Sequence, residues 1–219
     1  MKKTLPLLIT FIMTFTSCIG MSVDIQMNKD GSGKLTMEYR VSRIFDSIGA
    51  LDGNNRTLSV PISRLDWERS IERVNGIKID SFSVIQKGTD NISTVVLEFD
   101  NFGALLAVID PESKISAITQ QNNHYSLDFI LNGNSATIDF SKYDDVLIEY
   151  ARTLFSDYNF SMSFSAPGNS SLKFTDGSGN EIPSPSIAES VQSGRRVSMS
   201  IGIMDMLELT DGLGVRFNW

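Results

Sequence analysis

The chain has one cysteine, Cys18, and one histidine, His124, in 219 residues. A single thiol forms no intrachain disulfide, so packing alone must hold an exported domain of this sequence together. With one His and one Cys, a zinc site would have to be built from several carboxylates. Neither a metal nor a cofactor is expected. Basic residues are also scarce: 19 Lys and Arg face 26 Asp and Glu, and the longest basic cluster is Arg195-Arg196. Binding to a phosphate backbone needs clustered Lys and Arg, so nucleic acid is not an expected partner. General electrostatic attraction to anionic headgroups is not expected, on the same ground.

What is present begins with an export signal. Lys2 and Lys3 precede the apolar run from Leu5 to Phe15, which is too short to span a bilayer as a helix. Ser17 then stands just before Cys18 in "FTSCIG". The layout resembles a bacterial lipobox, in which the cysteine becomes residue one and receives lipid such as palmitate. Phe15 replaces the usual aliphatic residue three places upstream, as in the looser lipoboxes of spirochaetes. The alternative is a plain secretory signal with an incidental cysteine. Residues 1–17 are thus expected to be a signal peptide and 18–219 a single lipoprotein domain, long enough to bury its own core. Cys18 is the expected lipid anchor, and the expected location is the periplasmic side of the inner or outer membrane. Without Lys2 and Lys3, 17 basic side chains face 26 acidic ones, a charge near −9.

Alternation of apolar and polar residues over 23–28 and 34–42 predicts a β-hairpin. Its loop holds Asp30-Gly31-Ser32-Gly33, a sequence repeated at Asp176-Gly177-Ser178-Gly179. An EF-hand loop would close with a Glu at its twelfth position, where counting from Asp30 gives Val41. A phosphate loop would open a helix, but Lys34 opens a strand. Both copies read as turns, the second less firmly because Asp176, Asn180 and Glu181 lie close together. A helix is expected over 63–75, capped by Ser63, with Trp67, Ile71 and Val74 on one face. Strands follow over 77–86, with a slip in phase that suggests a bulge, and over 92–100, 114–120, 124–131, 159–165, 171–175, 195–203 and 214–219. The stretch 43–60 is ambiguous, and 177–194 reads as a long surface loop. A helix capped by Ser141 is expected to carry one apolar stripe of Tyr143, Val146, Leu147, Tyr150, Ala151 and Leu154. These elements predict an α+β fold, antiparallel sheet packed with two to four helices, with room for an apolar cavity.

Two features point towards function. "NFGALLAVIDPE" forms a short helix capped by Asn101 with no polar face. Such a helix is either buried or meets something apolar. Phe102, Leu105, Leu106 and Ile109 are therefore the candidate contacts of a hydrophobic ligand. His124, Ser126 and Asp128 share one face of a strand, which raises a hydrolase. Same-face neighbours stand about 6 to 7 Å apart, too far for direct bonds between short side chains, and the chain has no G-x-S-x-G elbow. A half-exposed strand histidine is the simpler reading of His124. A lipid-acting, phospholipase-like hydrolase using carboxylates or His124 remains the alternative from the enzyme class. A structural or adhesive surface lipoprotein is the third reading.

The order of these segments resembles the LppM-type bacterial lipoproteins. The likeness rests on Cys18 after an export signal, the hairpin around "KDGSGKL", the segment "FSMSFSAPGNSSLKFTDGSG", and the ending "RRVSMSIGIMDMLELTDGLGVRFNW". It implies a membrane-held domain with an apolar cavity for lipid or glycolipid and carries no catalytic motif across. Growth of cells with a clickable palmitate should label the protein, and Cys18→Ala should abolish the label; equal labelling of the variant would show that Cys18 is not the acceptor.

Overall fold

The computed structural model describes residues 20–43, 63–110, 115–121, 124–132, 144–209 and 212–219. Cys18, most of the ambiguous 43–60 stretch, Ser141 and Tyr143 lie outside them. Two sheets make the body. The first has seven strands: β1 (Gly20–Met27), β2 (Gly33–Ser42), β3 (Ile77–Lys87), β4 (Asp90–Phe99), β7 (Asn159–Ser165), β10 (Ala188–Ser193) and β11 (Arg196–Gly202), in the order β10-β11-β7-β1-β2-β4-β3. The second has five: β5 (Ser116–Gln121), β6 (His124–Asn132), β8 (Ser171–Thr175), β9 (Glu181–Ile182) and β12 (Leu213–Asn218), in the order β5-β6-β12-β8-β9. Pairing is antiparallel except at the centre of the larger sheet, where β1 runs parallel to β7. Among the described residues there are four helices: α1 (Arg64–Ile71), α2 (Phe102–Ile109), α3 (Asp145–Phe155) and α4 (Ile203–Glu208). The fold is α+β, as the alternation of short strands and helices predicts.

Period-2 patterning builds the core. Val23, Ile25 and Met27 of β1, Leu35, Met37 and Tyr39 of β2, and Val95, Leu97 and Phe99 of β4 turn to one side of the large sheet. They join Leu127, Phe129, Phe174, Val215 and Phe217 of the small sheet in one buried cluster. Phe164 on β7 bridges the sheets, its ring 5.4 Å from Phe217 and 4.7 Å from Trp219. Ser63 caps α1, and Asp66 answers from the third position in a capping box. Trp67 then enters the core at 2% exposure beside Tyr39.

Several expectations meet the structure unevenly. The slip in phase over 77–86 is a break in register between Ile79 and Ser81. The third helix is capped by Asp144, not by Ser141, because the Asp144 carboxylate accepts from Val146 N at 2.8 Å. The supposed surface loop 177–194 contains β9 and β10. β10 pairs along the outer edge of β11, and only Ala188 of it is buried, so it has no apolar alternation to read. The helix α4 has no counterpart in the sequence reading, because its six residues hold too few turns for a period.

The larger sheet tolerates no side chain at Gly33. A Cβ there would meet Gln26 O at 2.1 Å and Phe99 Cζ at 2.5 Å. Gly33→Ala should destabilise the fold by about 1–3 kcal/mol, read from urea midpoints. Gly168→Ala, where nothing lies within 4 Å of the new methyl, is the control; equal midpoints for the two variants would contradict the register of β1, β2 and β4.

Candidate functional site: an apolar helix and a polar groove

The helix α2 is fixed at both ends. Asn101 Oδ1 accepts from Ala104 N at 3.0 Å. At the other end the buried Asp110 carboxylate accepts from Ile115 N at 2.8 Å and from Ser116 N at 2.7 Å. The helix is thereby tied to the start of β5. Of the four candidate ligand contacts, Leu105 is sealed in the core at 0% exposure, next to buried Ala104. It serves packing. Phe102, Leu106 and Ile109, with Val108, are only half-buried against the same core. Phe102 stacks on Trp219 with ring centres 5.3 Å apart, and Trp219 stacks in turn on Tyr125 at 5.5 Å. Three aromatic rings thus continue the apolar surface of α2 onto the inner face of the small sheet.

The outer face of the same strands is polar. His124, Ser126 and Asp128 of β6, Arg216 and Asn218 of β12, Ser171 and Lys173 of β8, and Thr119 of β5 line a groove of 620 Å³. Its floor is cross-linked. Arg216 Nε donates to Asp128 Oδ1 at 2.5 Å, and Ser126 Oγ donates to Asn218 Oδ1 at 2.7 Å. Lys173 Nζ reaches Glu181 at 2.7 Å. Arg216 also donates to the carbonyl of Gly179 at 3.4 Å, which places the second Asp-Gly-Ser-Gly turn at the rim. The groove offers hydroxyl, amide, carboxylate and cationic groups in fixed positions, a surface suited to a polar ligand. The strand period does bring His124, Ser126 and Asp128 to one groove. The side-chain hydrogen bonds of Ser126 and Asp128, however, run across strands to Asn218 and Arg216. Among the described residues His124 is bonded to neither Ser126 nor Asp128, so no relay of the hydrolase type is assembled. Arg216 and Asn218 escaped sequence reasoning because their partners lie 88 and 92 positions away. Among the described residues no cluster of His, Cys, Asp and Glu could hold a metal ion.

The two repeated turns are closed by their own aspartates. Asp30 Oδ1 accepts from Ser32 N at 3.0 Å and from Ser32 Oγ at 2.7 Å, and Gly31 adopts φ 85°. Asp176 accepts from Asn180 N at 2.9 Å, Asn180 Nδ2 at 3.0 Å and Ser178 N at 2.8 Å. These bonds hold both carboxyls below their ordinary value, through Ser32 at Asp30 and chiefly through Asn180 at Asp176. This is the side-chain turn that Asp favours.

No family model matches the chain, and no curated protein matches it. Among solved structures it is similar to the NMR structure of the folded domain of Mycobacterium tuberculosis LppM. The two share 9% identity with a TM-score of 0.46, over 92% of this chain and 91% of that one. Among the described residues no helix is long and apolar enough to cross a membrane.

A depressed carboxyl stabilises the fold above its unfolded value near pH 4 and loses that contribution as the pH falls through the folded value. Asp30→Asn keeps an acceptor oxygen and removes the charge, so its unfolding should depend less steeply on pH below about 4. Added calcium should leave the melting temperature of both proteins unchanged. A calcium-dependent rise that vanishes in the variant would make the turn an ion site.

Proposed function

We propose that this protein is a membrane-anchored, non-catalytic lipoprotein that binds an amphiphilic lipid or glycolipid. Cys18 supplies the anchor. The acyl part of the ligand lies against Phe102, Leu106 and Ile109 and the Trp219–Tyr125 stack, and the head group lies in the polar groove. The observation that carries the reading is that α2 has no polar face, yet four of its apolar side chains are only half-buried. Strand geometry supplies the rest: on β6 and β12 alternate residues face the aromatic stack and the groove, so the two surfaces meet where Tyr125 and Trp219 adjoin His124 and Asn218. Each buried methylene gains about 0.8 kcal/mol, so roughly ten of them offset the several kcal/mol that association costs.

Native mass spectrometry of protein lacking residues 1–18, which keeps every described element, should show a lipid adduct after incubation with membrane lipid extract. Leu106→Asp should keep the fold, by circular dichroism, and lose the adduct, because a charge there opposes acyl contact. An unmodified protein with no adduct would overturn the carrier reading, and an unfolded Leu106→Asp would assign the side chain to the core.

A further inference from the structure

The stripe on α3 is divided. Ala151 packs against buried Phe155 and Leu147 is half-buried, but Val146 and Tyr150 are 75% and 63% exposed, and Leu154 is more than a third exposed. These three recur every four residues and so form one ridge along the helix. Phe155, at the end of α3, packs with Tyr158 and Met204 in a small cluster of its own. Tyr158 in turn stands beside the first described residue: a Cβ placed on Gly20 would lie 3.5 Å from its ring. The same end of the large sheet carries two more exposed apolar side chains. Gly20 pairs with Arg40, Arg40 with Ile92, and Ile92 with Ile85, so Ile85 lies on the row of Gly20, with Val84 next to it. Ile85 and Val84 are both more than half exposed. The turn at the opposite end of β1, Asn28-Lys29-Asp30, is polar and exposed.

The chain that leads to the anchor ends at this place. One residue, Ile19, separates Cys18 from Gly20. At about 3.6 Å per residue, the Cys18 Cα lies within roughly 7 Å of that of Gly20, whatever path it takes. A lipid on Cys18 therefore brings the bilayer surface to the end of the large sheet that exposes Val84 and Ile85 and against which the last turn of α3 packs through Phe155 and Tyr158. We infer that this end is a membrane-contact face, with the α3 ridge lying in the lipid interface beside the anchor. The occupant is the lipid surface itself. Attraction is apolar, because the α3 flank carries Asp144, Asp145 and Glu149, and its Arg152 is engaged by Glu208 at 2.9 Å. Tyr150, apolar in body and polar at its tip, suits the headgroup level. Lipid at two points beside one short tether fixes the orientation of the domain, with the Asp30 turn directed away from the bilayer. This rests on the anchor reading of Cys18 and not on the ligand assigned to α2.

The test uses the full, lipidated chain. Acylation of Cys18 leaves an introduced cysteine as the sole thiol. Val146→Cys, Tyr150→Cys, Ile85→Cys and, as reference, Lys29→Cys are each labelled with an environment-sensitive fluorophore and reconstituted in phosphatidylcholine vesicles containing a spin-labelled lipid quencher. The labels at 146, 150 and 85 should shift to the blue and lose several-fold more intensity to the quencher than the label at 29. Co-flotation with vesicles and labels all as aqueous as that at 29 would overturn the contact face alone. Absence of co-flotation would overturn the anchor reading and this inference with it. Self-quenching between labels at 150 without lipid quenching would assign the ridge to a second copy of the chain and overturn the membrane assignment.

Discussion

A carboxylate at 1% exposure, Asp90, holds together the end of the large sheet at which β1 begins. Arg40 Nε on the neighbouring strand pairs with one of its oxygens, and Tyr158 Oη donates to the other at 3.0 Å. The Arg40 guanidinium also lies over the Tyr158 ring, 4.8 Å from its centre. Removing one partner of a buried charge commonly costs about 3–5 kcal/mol. The cost through Arg40 is smaller than that range, because water screens its side chain, which is 42% exposed. Burial first, and then the Asp90 carboxylate, hold the Tyr158 phenol above its ordinary value, so it stays a donor. Tyr158 positions the rest. It receives Phe155 of α3 and Met204 of α4, and its carbonyl accepts from Ile203 N at 3.1 Å. Both helices thus pack against a residue that is hydrogen-bonded to the buried charge.

The second organising constraint is the two-residue period of β6 and β12. It puts Tyr125, Leu127 and Phe129 on the inner face and His124, Ser126 and Asp128 on the outer one. A single strand therefore supplies both a wall of the apolar core and the floor of a polar groove. Around its end the two chemistries lie side by side, with Trp219 on one and Asn218 on the other. That arrangement suits a molecule which is itself apolar at one end and polar at the other.

Local signals were legible in the sequence where one segment settles its own structure. The β1–β2 hairpin, the Ser63 and Asn101 caps, the two aspartate turns and the bulge near Asp80 all follow from neighbours in the chain. What was not legible depends on distant partners. β10 is a strand only because β11 offers it an edge. Asp128 and Ser126 look like a hydrolase face until Arg216 and Asn218 arrive from β12. The α3 stripe reads as a core face from its period alone. Only the packing of Phe155 and Ala151 reveals that Val146, Tyr150 and Leu154 are left outside. The apolar composition of α2 was visible, but not the division between sealed Leu105 and half-buried Leu106.

Trp219 reports most directly on whether an acyl chain lies against α2, because it stacks on both Phe102 and Tyr125. The other tryptophan, Trp67, is buried, and its indole N–H has no hydrogen-bond partner, so Trp67→Phe removes the second emitter without orphaning a polar group. Titrating this variant with a lipid brominated along its acyl chain measures contact between bromine and indole. The account predicts saturable quenching of Trp219 that an unbrominated lipid does not produce; saturable lipid binding with unchanged Trp219 emission would contradict it.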